Sequence, residues 1–311
     1  MAAERRFRAM GSDCHLIIVG GPEGLIDEAA AALADLEARW SRFLPLSEIS
    51  RLNRHAGRAL TVHAHTLALV ELAVEGWKQT RGLFDPTVLG DLERAGYDRS
   101  LELIAEPATV QSALARGCGD IVIDRVAQTV TIPAGVGFDP GGLGKGLAAD
   151  LVADHLVERG AAGACVNVGG DLRVTGRAPG GASWTVAVKH PATTSETIAT
   201  LALFDGAVAT TSRTQRVWRG VDGPAHHLID PATGRPANTG LAAVTVVAAR
   251  AHEAEILAKA AFLAGPDRAL DLVTATDAHA LLVTDAGRIE TTPALAPYLA
   301  ATGQRRVAVD A

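Results

Sequence analysis

Aromatic residues are scarce. They make up 4% of the 311 residues, so alanine, leucine and valine must fill the interior, and each aromatic in a loop draws attention. Cysteine is nearly absent as well. Cys14, Cys118 and Cys165 are scattered, odd in number and without metal-ligand spacing. That pattern excludes a disulfide framework and points to small buried hydrophobes in a reducing compartment. There is no surplus of positive charge: the net charge of -6 gives no basic footprint for nucleic acid or an anionic membrane. No apolar run is long enough to span a bilayer, and Met1 to Phe7 holds neither an apolar signal core nor a lipoprotein cysteine. The chain as given therefore reads as cytoplasmic, or as exported if its leader has been removed. Internal repeats and linkers rich in proline, serine or charge are missing too, so residues 1–311 are taken as a single compact unit.

What is present is an ordinary globular balance, with 48% apolar and 21% charged residues. Leu25, Ala29, Leu33, Leu36 and Trp40 recur at helical spacing and predict a helix over 22–41. Ser47 opens a short helix over 48–53. A second amphipathic helix starts near Val62 and stops at Arg81-Gly82, where a glycine ends it. Asp120 to Ile132 reads as a β-hairpin. Further helices are expected over 147–158, 252–264 and 269–275. Short strands separated by glycine turns are expected at 14–19, 165–168, 172–174, 184–188, 198–203, 207–209, 241–248 and 279–283, with another at Ile289. No alternating strand–helix period dominates. The class is α+β, with antiparallel sheets and packed helices.

The chain is organised around Phe138-Asp139-Pro140-Gly141-Gly142-Leu143-Gly144-Lys145-Gly146, which leads into a helix. A glycine turn at a helix N-terminus can present N–H groups to a phosphate, and Lys145 adds a point charge. Gly146 stands where a nucleoside-triphosphate loop needs Ser or Thr, and the glycine spacing is not that of a dinucleotide fold. A tight connection whose glycines serve packing fits equally well. Asp139 can accept N–H bonds from its own loop or hold the N–H edge of a ligand. His227 could serve as a general base beside a phosphate, or could be structural. Asp230-Pro231-Ala232-Thr233-Gly234 is a turn that Asp230 most simply caps. Glu255 and Lys259 stand four apart on a predicted helix, as a surface ion pair or a partly buried site. Asn167-Val168-Gly169-Gly170-Asp171 suits a hairpin.

Taken in order, eight segments resemble the ApbE family, the FAD:protein FMN transferases. They are 8–12; 41–43 with 47–53; 82–88; 139–146 with Ala149-Asp150; 167–171; 208–212; 227–234; and 254–265. The resemblance implies transfer of FMN from FAD to a threonine or serine hydroxyl of an acceptor protein, an electron-transfer flavoprotein, with AMP released. It places Met10, Phe43, Leu83, Phe84, Asp85, Asp139, Lys145 and Ile229 at the FAD site. For the catalytic roles, His227 is the first candidate base for the acceptor hydroxyl and Asp230 the second, and Lys259 is a candidate charge beside the pyrophosphate. The resemblance also implies Mg²⁺, held by the backbone oxygen of Gly142 and by the carboxylate of Glu255. Two positions depart from the family pattern. Glu255 stands for an aspartate and Lys259 for a threonine. A charged lysine has donors only and cannot be a metal ligand. The expectation is a weakly held metal, or a Lys259 ammonium that partly replaces it. Thr210-Thr211-Ser212 replaces the usual Thr-Ser-Gly, with an altered loop expected there. Hydrolysis of FAD to FMN and AMP, or FAD carriage without chemistry, are the alternatives.

Overall fold

The structure is a computed structural model that describes residues 2–100, 104, 112, 114–181, 183–220, 223–299 and 308–310. The residues gather into two compact units, neither contiguous in sequence. The first holds 1–35, 145–212 and 240–311; the second holds 36–144 and 213–239.

The first unit is built on an eight-stranded sheet whose neighbours are all antiparallel. Its strands, in spatial order, are Ala2–Ala9, Ser12–Val19, Gly163–Val168, Asp171–Gly176, Gly206–Ser212, Leu241–Ala248, His279–Thr284 and Ile289–Thr291. Spatial order follows chain order, so each strand lies beside the sheet strand before it. The middle strands are buried on both faces: every residue of Gly163–Val168 and Leu241–Ala248 is buried. A second sheet, Trp184–Lys189 between Thr197–Leu203 and Ala308–Asp310, belongs to this unit, and its inner residues share a core cluster with the large sheet. Helix α6 (Ala251–Ala264) packs on the strands 206–212 and 241–248, with α7 (Pro266–Thr274) beside it. The sequence reading misses the strand Ala2–Ala9. It is an edge strand, mostly exposed and carrying Arg5, Arg6 and Arg8, so it lacks the apolar alternation that marks a half-buried strand.

Helix α1 (Leu25–Trp40) realises the expected stripe: Leu25, Ala29, Leu33, Leu36 and Trp40 are all buried. In the second unit, α2 (Glu48–Arg54) opens on Ser47, whose hydroxyl accepts the Ser50 N–H at 3.0 Å. Helix α3 (Ala64–Gln79) ends at Thr80, and the chain turns back through Arg81 (φ 53°) and Gly82 (φ 81°). The short helix α4 (Leu89–Arg94) has no strong sequence signal and was not expected. The hairpin of Val122–Asp124 and Thr129–Thr131 is joined by Leu60–Thr61. Helix α5 (Gly144–Glu158), which belongs to the first unit from Lys145 on, starts three residues earlier than its apolar pattern suggests. Two further two-stranded ribbons, Val217–Gly220 with Gly223–His226 and Ile229–Asp230 with Arg235–Pro236, carry the histidine loop. Among the described residues no helix is long and apolar enough to cross a membrane.

Candidate active site

The second unit holds Phe138 to Gly144 of the loop around which the sequence is organised, and the first holds Lys145 and Gly146. Asn53, near the end of α2, clamps the backbone of Phe138 with two bonds. Its Nδ2 donates to the Phe138 carbonyl at 2.9 Å and its Oδ1 accepts the Phe138 N–H at 2.8 Å. Asp139 donates its own N–H to Pro86 at 2.8 Å, tying the loop to the segment that carries Leu83, Phe84 and Asp85. Inside the loop, Asp139 Oδ1 accepts the Gly141 N–H at 2.9 Å, and the Pro140 carbonyl accepts the N–H groups of Leu143 and Gly144 at 3.2 and 2.9 Å. These donors serve the turn itself. Asp139 therefore does its structural task with one oxygen, and the other oxygen accepts no hydrogen bond among the described residues. Gly142 is buried in this turn.

Arg42 organises the neighbouring surface. Its guanidinium lies 4.2 Å from the Phe43 ring centre and 4.6 Å from that of Tyr97, donates to the Tyr97 carbonyl at 2.7 Å, and approaches Asp139 Oδ1 to 3.7 Å. A cation held between two ring faces keeps its charge while its body is desolvated. Tyr97 stacks on Trp218 at 5.2 Å, and Trp218 donates to the Ala95 carbonyl at 2.7 Å. Ile229 joins Tyr97 and Trp218 in one core cluster, with Phe43 packed against it. Two of the expected cofactor residues, Phe43 and Ile229, thus come together with Asp139 around Arg42. The sequence reading missed Arg42, Tyr97 and Trp218. For Tyr97 the signal was an aromatic in a loop of an aromatic-poor chain; Arg42 stands next to Phe43, and Trp218 lies in the strand Val217–Gly220.

Two residues of the 83–85 loop are engaged locally. Phe84 is 1% exposed, a core side chain, so only its backbone is available to a ligand. Asp85 Oδ1 accepts both the N–H and the hydroxyl of Thr87, at 2.8 and 2.6 Å, which makes it the cap of its own turn. Leu83 is half-buried beside them.

The histidine loop divides its labour. His226 is structural: its Nδ1 accepts the Leu228 N–H at 3.3 Å and its Nε2 lies 3.0 Å from the Ala237 carbonyl. Desolvation is the main cause that holds its pKa below the ordinary value, with the nearby Arg213 adding to it and the Ala237 bond opposing it. His227 is half-buried and remains the candidate base. Asp230, the second candidate, is committed elsewhere. One oxygen accepts the Ala232 N–H at 2.8 Å and the other the Thr233 hydroxyl at 3.1 Å, so the turn-capping role holds it.

In the first unit, Lys145 is the centre. Its ammonium is paired with Asp171 and lies 2.8 Å from Glu255 Oε1. Both carboxylates are nearly buried, at 5% and 6% side-chain exposure. Glu255 Oε2 accepts the Gly146 N–H at 2.9 Å, capping the first turn of α5. The favour is returned. Asp150 of α5 accepts the N–H groups of Ala251 and His252 at 2.9 and 3.1 Å, capping α6, whose own N-cap residue Arg250 makes no side-chain cap bond. The two helix starts come this close because Gly146 has no side chain: a Cβ there would strike the backbone of Ala251. Asp171 was read only as the end of a hairpin. That hairpin exists, with Gly169 and Gly170 both at positive φ, and it delivers Asp171 to Lys145. The segment Thr210-Thr211-Ser212 is no loop but the end of the strand Gly206–Ser212. Met10 forms the two-residue turn between the first two strands with Gly11, at φ 54°.

The residues do not fit a divalent metal on α6. Mg²⁺ needs oxygen ligands in near-octahedral order. Here one Glu255 oxygen faces an ammonium and the other a backbone N–H, while Lys259, one turn further along α6, has no oxygen to offer. Among the described residues no group of three or more His, Cys, Asp or Glu could hold a metal ion. Cysteine supplies no alternative ligand or nucleophile: all three thiols are buried, and burial pushes Cys118 and Cys165 up to about 12.

Known proteins are similar to this chain over most of its length. A FAD:protein FMN transferase of Haemophilus influenzae is 28% identical over 282 residues, covering 85% of this chain and 81% of that protein. One of Vibrio cholerae is 27% identical over 256 residues, covering 81% and 76%. The crystal structure of the ApbE protein of Thermotoga maritima superimposes with a TM-score of 0.87 at 27% identity, covering 96% of this chain and 99% of that one. The flavin transferase ApbE of Vibrio cholerae shares the fold, with a TM-score of 0.81 at 24% identity. The profile of the ApbE family matches residues 10–282, from the Met10 turn through the glycine loop, the histidine loop and α6. Matched by the family's model over that span, the chain belongs to the ApbE family.

Proposed function

We propose that this protein transfers FMN from FAD to a serine or threonine hydroxyl of an acceptor flavoprotein. The observation that carries the reading is the alignment with FAD:protein FMN transferases over more than four-fifths of the chain. In the reaction the acceptor oxygen attacks the FMN-side phosphorus of FAD. A new phosphoester bond forms, the pyrophosphate bond breaks, AMP leaves, and the hydroxyl proton passes to a base. His227 is that base. Asp230, whose two oxygens each accept a bond within its own turn, is the second candidate. The Arg42 surface with Phe43 and Asp139 is suited to the flavin end, offering ring faces, a fixed cation and a carboxylate that can accept from an N–H edge.

Charge that grows on the phosphate oxygens is stabilised by fixed positive groups aimed at it. This chain offers Lys259 and the first turn of α5. The reaction we infer passes through no metal, a reading supported by the engagement of both Glu255 oxygens. The acceptor is an electron-transfer flavoprotein exposing a serine or threonine. Incubating the protein with FAD and such a domain tests the function. Covalent flavin on the domain, detected by in-gel fluorescence and mass spectrometry, is expected. Free FMN and AMP without labelling would make the protein a hydrolase instead.

A further inference from the structure

Three surface features lie outside the reading above: the exposed Val122 and Val126 of the 122–131 hairpin, the exposed Phe204 after the strand 197–203, and the turn and helix face over residues 44–58. Nothing in the structure says what would cover the first two. The third combines an apolar and a charge pattern, and it shares a helix with the candidate site.

Leu44, Pro45 and Leu46 stand exposed in a row, with Leu46 87% exposed. The turn that carries them is fixed. The Leu44 N–H donates to the Ser41 carbonyl at 3.3 Å, the Ser47 N–H to the Leu44 carbonyl at 3.1 Å, and the Arg54 guanidinium to the Pro45 carbonyl at 2.8 Å. Apolar side chains held out in water on a fixed turn are pre-organised for contact, because little freedom is left to lose on binding. The turn follows directly on Arg42 and Phe43, and the Ser50 hydroxyl of α2 donates to the Arg42 carbonyl at 3.1 Å.

Helix α2 has two faces with different tasks. Ile49 and Leu52 are buried, and Asn53 clamps Phe138 just ahead of Asp139. Arg51 and Arg54 are exposed, as is Arg58 in the turn that follows. In a chain of net charge -6, residues 41–70 hold four arginines and a single acid, Glu48. That acid is turned away from the arginines: one oxygen accepts the His63 N–H at 2.9 Å and the other the Thr66 hydroxyl, both at the start of α3. An exposed apolar turn is thus flanked by a locally basic helix face.

We propose that Leu44 and Leu46, with Arg51, Arg54 and Arg58 beside them, form the docking surface for the acceptor flavoprotein, which meets it with an acidic surface next to its serine or threonine. Charge complementarity selects the acidic partner. An apolar centre with a charged rim is the usual anatomy of a protein interface. The place follows from the reaction, because the acceptor hydroxyl must reach the FMN-side phosphorus and so must rest near the residues suited to the flavin end, Phe43 and Asp139. The proposal rests on the FMN-transferase reading.

The probe is an acidic electron-transfer domain with an exposed threonine. Labelling rates give its KM and the kcat, and flavin fluorescence gives FAD affinity. Leu46→Asp, and separately Arg51→Glu combined with Arg58→Glu, should raise KM for the domain about tenfold and leave kcat and FAD affinity within about twofold. The native KM should rise with salt, which screens charge contacts, and this rise should be lost in the arginine variant. Unchanged FAD affinity shows that a variant is folded, and the salt series on the native chain stands if one is not. Unchanged KM in either folded variant, a native KM indifferent to salt, or a KM that rises only in step with lost FAD affinity would overturn the proposal and leave the transferase reading intact. So would binding of the native chain to phosphatidylglycerol vesicles that the arginine variant loses at unchanged KM, which would give the face to a membrane. A native dimer that Leu46→Asp makes monomeric at unchanged KM would give it to a second copy instead. Absence of labelling by the native chain would overturn the transferase reading and the proposal together.

Discussion

Glu255 Oε2 accepts the Gly146 N–H at 2.9 Å, joining residues 109 apart in the chain and capping α5 from α6. Glu255→Ala removes this cap and also leaves Lys145 with Asp171 alone. Breaking a nearly buried ion pair by deleting one partner costs about 3 kcal/mol. Urea denaturation should show a loss of this order, and Glu255→Gln, which keeps an acceptor for the N–H, should lose less. Equal losses in the two variants would mean that charge, not the cap, carries the effect.

Asp150 serves the other half of the exchange. It is fully buried, accepts two N–H groups of α6, lies 2.7 Å from His252 Nδ1 and stands near Arg250 and Arg173. Asp150→Ala strands the α6 donors and two guanidiniums. The loss of a helix cap alone costs about 1 kcal/mol, and uncompensated buried charge adds to it. The variant is expected to unfold at clearly lower denaturant than the native chain, and a surface control such as Glu23→Ala should not.

Met10 sits in left-handed backbone, where a side chain costs about 1 kcal/mol that glycine or asparagine would avoid. A turn kept at that cost is a candidate for a ligand contact. Met10→Gly should leave stability unchanged or raised while weakening FAD binding. If both stability and affinity are unchanged, Met10 is no part of the site.

His226 makes stability depend on pH. Its folded pKa lies below the ordinary 6.5, chiefly because burial disfavours the charged ring. Below 6.5 the unfolded chain therefore binds more protons than the folded one, and stability falls with pH. The contribution is fully present above 6.5 and is lost as the pH falls through the folded pKa. Denaturation midpoints measured on either side of 6.5 should show this slope, and replacing His226 with glutamine should flatten it.

His227→Ala is expected to abolish or strongly slow FMN transfer while leaving FAD affinity and the melting temperature near native. General-base catalysis contributes about 10²- to 10⁴-fold, so the deficit lies well within reach of a rate assay. A variant with native transfer rates would remove His227 from the role.

Much of the architecture was legible beforehand, for local reasons. The apolar stripe of α1 is a matter of spacing within one helix, and all five stripe residues are buried. Ser47 caps α2 through a residue three positions on, and Gly169-Gly170 makes a turn from its own backbone freedom. Segments with little local signal were missed. The strand Ala2–Ala9 is charged and exposed at the sheet edge, and α4 is a helix of only six residues.

At the site the sequence by itself determined the family, the glycine loop and the pair Glu255 and Lys259 on α6, because these are identities at positions in order. Only the tertiary structure decided what those residues do. It spent Asp230 and Asp85 on their own turns, drew Phe84 into the core, placed Arg42 between Phe43 and Tyr97, and set Lys145 between Asp171 and Glu255. A carboxylate's role depends on which donors reach it. Those of Asp230 and Asp85 stand two or three residues away along the chain, whereas those of Glu255 are more than a hundred residues away. Sequence spacing cannot register a partner brought in from that distance by the packing of two helices across an absent side chain at Gly146.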